Sequence, residues 1–357
     1  MKELFQPDLF SKKTPSYVEV NSKEIEGIRD LITRHYICDP NLQSVLRIGA
    51  LEINSNNYKI ITGKSNYLLK HFRSNSYPNF FKTQIEVSQR INEAKTIFPR
   101  FVLSKNNKTI VTHDSSYWIL MEHIDGVYVG GDNINFKSLG KKIGSLFNLL
   151  TDYKKSNLPD SIMINCFDSF HDSFTRLHKA STHLEDYFPK SETSNLRNNI
   201  EVISSSYREI NQYIHTIASL QTAPCHIDLH PHNILNSYND TYYFLDVESI
   251  QVGYPAVAVA FAIYKLSREY IAASKKSENT NLKIEYDVRE FANCILDRIE
   301  SIKINLSMLR VCALFEVLRR LFIITDLNII EKKTAWNKVL GIQLAAIKEI
   351  PIIFKGF

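Results

Sequence analysis

His226-Ile-Asp-Leu-His-Pro-His-Asn233, followed after a short polar turn by the apolar run Tyr242-Tyr-Phe-Leu-Asp246-Val-Glu248, decides the reading of this chain. Asp228 and Asn233 stand five residues apart on what reads as a tight loop, and Asp246 ends what reads as a buried strand. These residue types at these spacings suit phosphate chemistry with two divalent ions. Phosphoryl transfer asks little covalent work of a protein: a group that orients a hydroxyl, divalent ions that bridge phosphates, and a cation on the nucleotide. Asp228, early in the loop, can serve as the base. Asn233 offers a neutral oxygen to a metal, and Asp246 a carboxylate. Mg²⁺ favours a few hard oxygen ligands completed by water and phosphate, so so small a protein donor set is enough.

Working outward, the N-terminal third reads as a β-meander with one helix. A helical stretch near Glu24 to Arg34 precedes strand-like pieces at Ser44 to Ile53, Tyr58 to Thr62 and Tyr67 to Phe72, separated by polar turns. A helix is predicted over Phe81 to Ile97, ended by Pro99, with further strands at Phe101 to Leu103 and Tyr117 to Glu122. After Asp125-Gly126 the pattern becomes helical, beginning with Leu139, Ile143, Leu146, Phe147 and Leu150. Helical periodicity returns over about 195–219, 257–274, 285–301, 307–324 and 332–348. Only Ser274 to Thr280 reads as a linker.

Position by position, His226, Asp228, Asn233 and Asp246 match the His-x-Asp-x-x-x-x-Asn loop and strand-end Asp of small-molecule kinases. The chain therefore resembles the aminoglycoside phosphotransferase and choline kinase family, over roughly residues 44 to 270. The resemblance implies an α+β, two-lobed protein-kinase-like fold, with a small N-terminal β-sheet lobe carrying one helix and a larger, mainly helical C-terminal lobe. The expected domains are 1–123, nucleotide-binding, and 124–357, which carries the catalytic loop, metal and substrate sites. ATP and Mg²⁺ are the implied cofactors, and the hydroxyl of an amino alcohol, sugar or aminoglycoside-like molecule the implied acceptor.

The same resemblance assigns roles. Asp228 is the catalytic base, and Asn233 and Asp246 are the metal ligands. Lys70, in Asn66-Tyr-Leu-Leu-Lys70, is the phosphate-binding lysine, held by Glu86 on the following helix, with Glu93 as the competing partner. Asn57, with Asn56 and Tyr58, falls where the family's phosphate-covering hairpin lies, and Glu122 and His123 fall at the hinge whose backbone meets adenine. By its position two residues past the metal acid, Glu248 reads as a neighbour of that acid, a contact for a cationic substrate, or simply a solvated acid. The chain departs from the family at Ile227, where glycine is frequent, and at Ala258, where an Asp often braces the loop.

Two alternatives stand beside this reading. A kinase-shaped protein that binds without turnover is one. The other is a metal-dependent hydrolase using the alternating His226, Asp228, His230 and His232, although Pro231 spoils a regular strand there. Val247-Glu248 after Asp246, where an activation segment would begin with Phe-Gly, and the lack of a downstream Ala-Pro-Glu argue against a protein kinase.

Composition narrows the setting. A net charge of +5 over 357 residues, with scattered Lys and Arg, argues against a nucleic-acid partner. The longest uncharged apolar run, near Pro255 to Tyr264, is too short to span a bilayer. Five dispersed cysteines without a Cys-x-x-Cys pair, and an N-terminus without a signal pattern, predict reduced thiols and a cytoplasmic setting.

Overall fold

A computed structural model describes residues 5, 16–36, 41–48, 55–73, 81–131, 134–153, 157–273 and 280–357. The far end of the expected strand 44–53, Cys38 and most of the linker 274–280 lie outside these residues. The chain runs β1 (Tyr17–Glu19), α1 (Ser22–His35), β2 (Leu42–Ile48), β3 (Ser55–Thr62), β4 (Asn66–Arg73) and α2 (Phe81–Ala94). Then come β5 (Phe101–Val102), β6 (Ile110–His113), β7 (Ser116–Glu122) and β8 (Gly126–Tyr128). Helices α3 (Phe136–Thr151), α4 (Phe167–Ala180) and α5 (Lys190–Ala218) lead to β9 (Ala223–His226), β10 (Ile234–Ser237), β11 (Tyr242–Phe244) and β12 (Ile250–Gly253). Helices α6 (Pro255–Ala273), α7 (Thr280–Leu296), α8 (Leu309–Ile329) and α9 (Asn337–Ile353) follow.

The chain forms two compact units, and the division is discontinuous in sequence. One contains Lys12–Val129 and His232–Glu248, the other Met1–Ser11, Gly130–Pro231 and Ser249–Phe357. The excursion at 232–248 has a simple cause: β10 pairs antiparallel with β8 as well as with β11. Gly126 permits that pairing, because a Cβ there would lie 2.3 Å from the Asn236 carbonyl oxygen.

In the sheet unit the strand order is β1-β2-β3-β4-β7-β5, with β6 also on β7, and every pairing is antiparallel. Asn21 caps α1 by accepting the Glu24 N–H at 3.0 Å. Ile28, Leu31 and Ile32 of α1 pack against Val45, Tyr58, Ile60, Leu69 and Leu120. Alternation along a strand then fixes the opposite face of β4. Leu69 points to α1, so Lys70 and Phe72 share the other face. Phe72 meets Phe81 of α2 there, with ring centroids 5.1 Å apart.

The second unit is helical apart from β9 and β12, which pair antiparallel from Ala223↔Gly253 to His226↔Ile250. Helix α6 starts at Pro255, where a missing N–H costs nothing, and is buried on nearly every side. Helix α8 is equally enclosed, from Leu309 to Asn328. At Gly144 of α3, a Cβ would sit 2.3 Å from the Ile295 carbonyl oxygen, so this glycine lets α7 pack backbone to backbone. Among the described residues, no helix is long and apolar enough to cross a membrane.

Candidate functional site

Lys70 is nearly buried, its side chain 11% exposed, and it is held by two carboxylates from the far end of the same unit. Its ammonium lies 3.5 Å from Asp246 Oδ1, 176 residues along the chain, and forms a closer ion pair with Glu248. Helix α2 contributes Gln84, whose amide donates to the Glu248 carbonyl at 2.5 Å. The pairing of Lys70 with Glu86 is not what the structure contains. Glu86 is exposed and faces Lys82 at 3.9 Å.

Helical geometry explains the exchange. The face of α2 turned inward is Phe81, Gln84, Ile85, Ser88 and Ile91. With about 3.6 residues per turn, Glu86 lies about 200° round the helix from Gln84, and Glu93 about 180°. Both glutamates are exposed. The carboxylate that meets the lysine comes instead from two residues past Asp246. Burial, with Asp246 beside it, pushes the Glu248 carboxyl up to about 7, although Lys70 pulls the other way.

Asp246 itself has a φ of 56°, in the left-handed region that Asp tolerates better than most side chains. The chain turns sharply there as β11 ends, and the turn carries the carboxylate toward Lys70. Such backbone cost is typical of functional positions. The N–H of Leu245 donates to the Asn233 carbonyl at 2.8 Å, tying Asn233 to the residue just before Asp246. Asn233 closes a single helical turn, Pro231–Asn233. His232 in that turn lies edge-on to Tyr128, with centroids 5.2 Å apart.

Asn57 lies within β3, directly opposite Lys70 of β4, so the two side chains share a sheet face. It belongs to the strand and not to the expected covering hairpin; residues 49–54 lie outside the described ones. At the end of β7, Glu122 accepts from Arg100 N–H at 2.9 Å through its carboxylate and donates its own N–H to Arg100 O at 2.8 Å. His123 donates its N–H to Asn66 O at 3.2 Å. The amide hydrogens of both residues expected at the hinge are thus committed inside the sheet. His123 stands 3.2 Å from Asp125, and burial, then the Lys59 charge, lowers its pKa. Lys59, which sequence reading passed over, pairs with Asp125 at 3.5 Å.

In the helical unit the loop leaves β9 at His226, a fully buried residue, and Ile227 N–H donates to Ser249 O at 2.9 Å. Gly253 gives Ile227 room: a Cβ on it would lie 3.3 Å from Ile227 Cγ2. Asp228 accepts from Arg320 Nη1 at 2.9 Å, and His230 stands 3.8 Å away. Burial alone would raise the Asp228 carboxyl. The charges of Arg320, His230 and His226 outweigh it and hold the carboxyl well below the usual carboxylate range. Arg320 was not read from sequence. The signal was present: Glu316, Arg319 and Arg320 are charges three and four apart in the otherwise apolar helix Leu309–Ile329.

The oxygen donors fit Mg²⁺. Asp246 offers a carboxylate beside a lysine that balances its charge, and Asn233 belongs to a turn bonded to the preceding residue. His232 is turned to Tyr128 within the sheet unit, and Asp228 to Arg320 within the helical unit. Among the described residues, no group of three or more His, Cys, Asp and Glu side chains is arranged to hold a metal ion.

Comparison with known proteins bears on the fold and the family. A spectinomycin phosphotransferase solved with ADP and spectinomycin superimposes with a TM-score of 0.66 at 12% identity, covering 92% of this chain and 97% of that one. An amicoumacin kinase solved with AMP-PNP and Ca²⁺ gives 0.60 at 14%, covering 92% and 96%. The choline kinase LicA from Streptococcus pneumoniae gives 0.59 at 13%, covering 92% and 99%. At these identities the likeness establishes the protein-kinase-like fold of small-molecule kinases. None of the curated proteins matches the sequence significantly. The sequence profile of the APH phosphotransferase enzyme family matches residues 46–279, about two thirds of the chain, and the protein belongs to that family of small-molecule phosphotransferases.

Proposed function

We propose that this protein transfers the γ-phosphate of ATP, with Mg²⁺, to a hydroxyl of a small molecule in the amino alcohol, sugar or aminoglycoside range. The observation that carries the reading is the meeting of Lys70 with Asp246 and Glu248, a cation and two oxygen acids drawn from distant segments onto one sheet face. Lys70 holds the α- and β-phosphates. Asp246 and Asn233 hold the metal, whose charge, when bound, offsets that of the phosphates. Asn57, on the face of Lys70, borders the same phosphates, and Glu122 and His123 border the base through carbonyls and side chains.

Asp228 orients the acceptor hydroxyl. A carboxylate held this low is a poor proton acceptor for a resting alcohol. In a loose phosphoryl transfer the hydroxyl acidifies as its bond to phosphorus forms, so orientation comes first and the proton follows late. The kinases of similar fold support this class of acceptor by what they were solved with: spectinomycin in one case, and in others an enzyme named for choline or for aminopropanol.

The test is a γ-phosphate-transfer screen with MgATP against amino alcohols, sugars and aminoglycosides, run on wild type and Asp228→Ala. Transfer to one class, lost by about 100-fold or more in the variant, is the expected outcome. A variant as fast as wild type sinks the assigned mechanism. Nucleotide binding with ATP left intact across the panel would instead favour a kinase-shaped binding protein.

A further inference from the structure

Arg320 is held by four partners of its own unit. Its Nη1 donates to Asp228 Oδ1 at 2.9 Å and its Nη2 to the Ile227 carbonyl at 3.2 Å. Its Nε donates to Glu316 Oε1 at 2.6 Å, and its guanidinium lies 4.2 Å from the centroid of the Phe261 ring on α6. Glu316 is fully buried and is itself gripped by Arg319, through Nε at 2.7 Å and Nη2 at 2.7 Å. Two arginines and two carboxylates thus form a chain of alternating charge that is neutral as a whole. A planar fork held at its stem, its face and both donor ends has little freedom to turn.

The placement is specific to the loop. Arg320 takes one side-chain oxygen and one backbone carbonyl from adjacent residues, so it fixes both the rotation of the Ile227–Asp228 peptide and the direction of the carboxylate. Helix α6 offers no polar side chain at the buried Ala258, where the family resemblance leads one to expect an acid. Here the grip on the loop comes from α8, with donors where an acid would have supplied acceptors. Among the described residues, the charged and titratable groups facing Asp228 include Arg320 from α8 and His226 and His230 from its own segment, with Glu316 behind Arg320.

We propose that Arg320, anchored by Glu316, is the positioning residue of the phosphotransfer reaction, holding the Asp228 carboxylate aimed for the acceptor hydroxyl. This rests on the reading of Asp228 as the hydroxyl-orienting residue. Arg320 touches neither nucleotide nor acceptor in this scheme and acts through Asp228. A misplacement of about 1 Å at such a group costs about 100-fold in turnover.

The experiment uses the full chain with ¹³C-carboxyl aspartate, the Asp228 signal being identified by its loss in Asp228→Asn. In wild type the signal stays ionised to the lowest pH at which the chain remains folded. In Arg320→Met its titration moves up into or above the ordinary aspartate range, and Arg320→Lys, with charge but no fork, falls between. With MgATP and whichever hydroxyl compound wild type phosphorylates, kcat falls about 100-fold in Arg320→Met while the acceptor KM changes little. Circular dichroism checks that each variant is folded. Should Arg320→Met not fold, Arg320→Lys and Glu316→Gln carry the same two measurements. A titration and kcat unchanged from wild type in the folded variants overturns the proposal. Failure of the underlying function looks different: Asp228→Ala turning over at the wild-type rate removes the role of Asp228 whatever the Arg320 variants do.

Discussion

Replacing Lys70 by Met tests which carboxylate the lysine meets, and it needs no substrate. Three double-mutant cycles on stability are compared: Lys70→Met with Glu248→Gln, with Asp246→Asn, and with Glu86→Gln. The Lys70–Asp246 contact at 3.5 Å is worth about 5 kcal/mol as bare Coulomb attraction at an effective dielectric of about 20. Asp246 is 34% exposed, so screening and desolvation remove most of that. For Glu248, 20% exposed and in direct contact, a charge-assisted hydrogen bond worth about 1.5–3 kcal/mol is the expected coupling. Glu86 is 54% exposed and turned to Lys82, so its coupling to Lys70 should stay below about 0.5 kcal/mol.

The assay is urea unfolding with linear extrapolation, at pH 8 and again at pH 6. The sign of the pH effect follows from Glu248, whose carboxyl is raised to about 7 from an ordinary 4.5. Between those values the folded chain holds a proton that the unfolded chain has lost, so total stability falls as pH rises through that window. The ion-pair coupling runs the other way, because it needs ionised Glu248, and is therefore larger at pH 8 than at pH 6. A Glu86 coupling equal to or above that of Glu248 would refute the geometry, as would a Glu248 coupling indistinguishable from zero at pH 8.

Two further outcomes follow from single residues. Asp246→Asn should fold like wild type, since Asn accepts a φ of 56°, yet lose Mg²⁺-dependent ATP binding, whereas Asp246→Val should also lose about 1–2 kcal/mol in urea unfolding; equal stability of the two variants would contradict the strain assigned there. Burial pushes up the thiols of Cys166, to about 11, of Cys312, to about 12, and of Cys225. All three should therefore resist a disulfide-exchange reagent at pH 8 until the chain is denatured, and rapid native reaction of any of them would show its site to be open.

Much of the site was legible because its chemistry is local in sequence. The loop from His226 to Asn233 and the strand-end acid at Asp246 are read by type and spacing alone, since a tight turn and a short strand set where such residues can point. The helices after residue 136 were legible for the same reason, as 3.6-residue periodicity is a property of a segment. Helix α4 escaped notice because its inward positions Phe170, Ser173, Leu177 and Ala180 are too mixed to form a stripe. Strands β6 and β8, at four and three residues, are too short to show a pattern.

Sequence by itself therefore determined the fold class and the family, and put forward Lys70, Asp228, Asn233 and Asp246 as the candidate residues. Tertiary structure decided their partners. Which glutamate meets Lys70 depends on how α2 is rotated about its axis, and the burial of Phe81, Gln84, Ile85 and Ser88 turns Glu86 to solvent. What holds Asp228 depends on α8, 92 residues further along the chain, bringing Arg320 against the loop. Spacing fixes what a segment can present; only the packing of distant segments fixes what it meets, because burying a charge requires a counter-charge that no local rule locates.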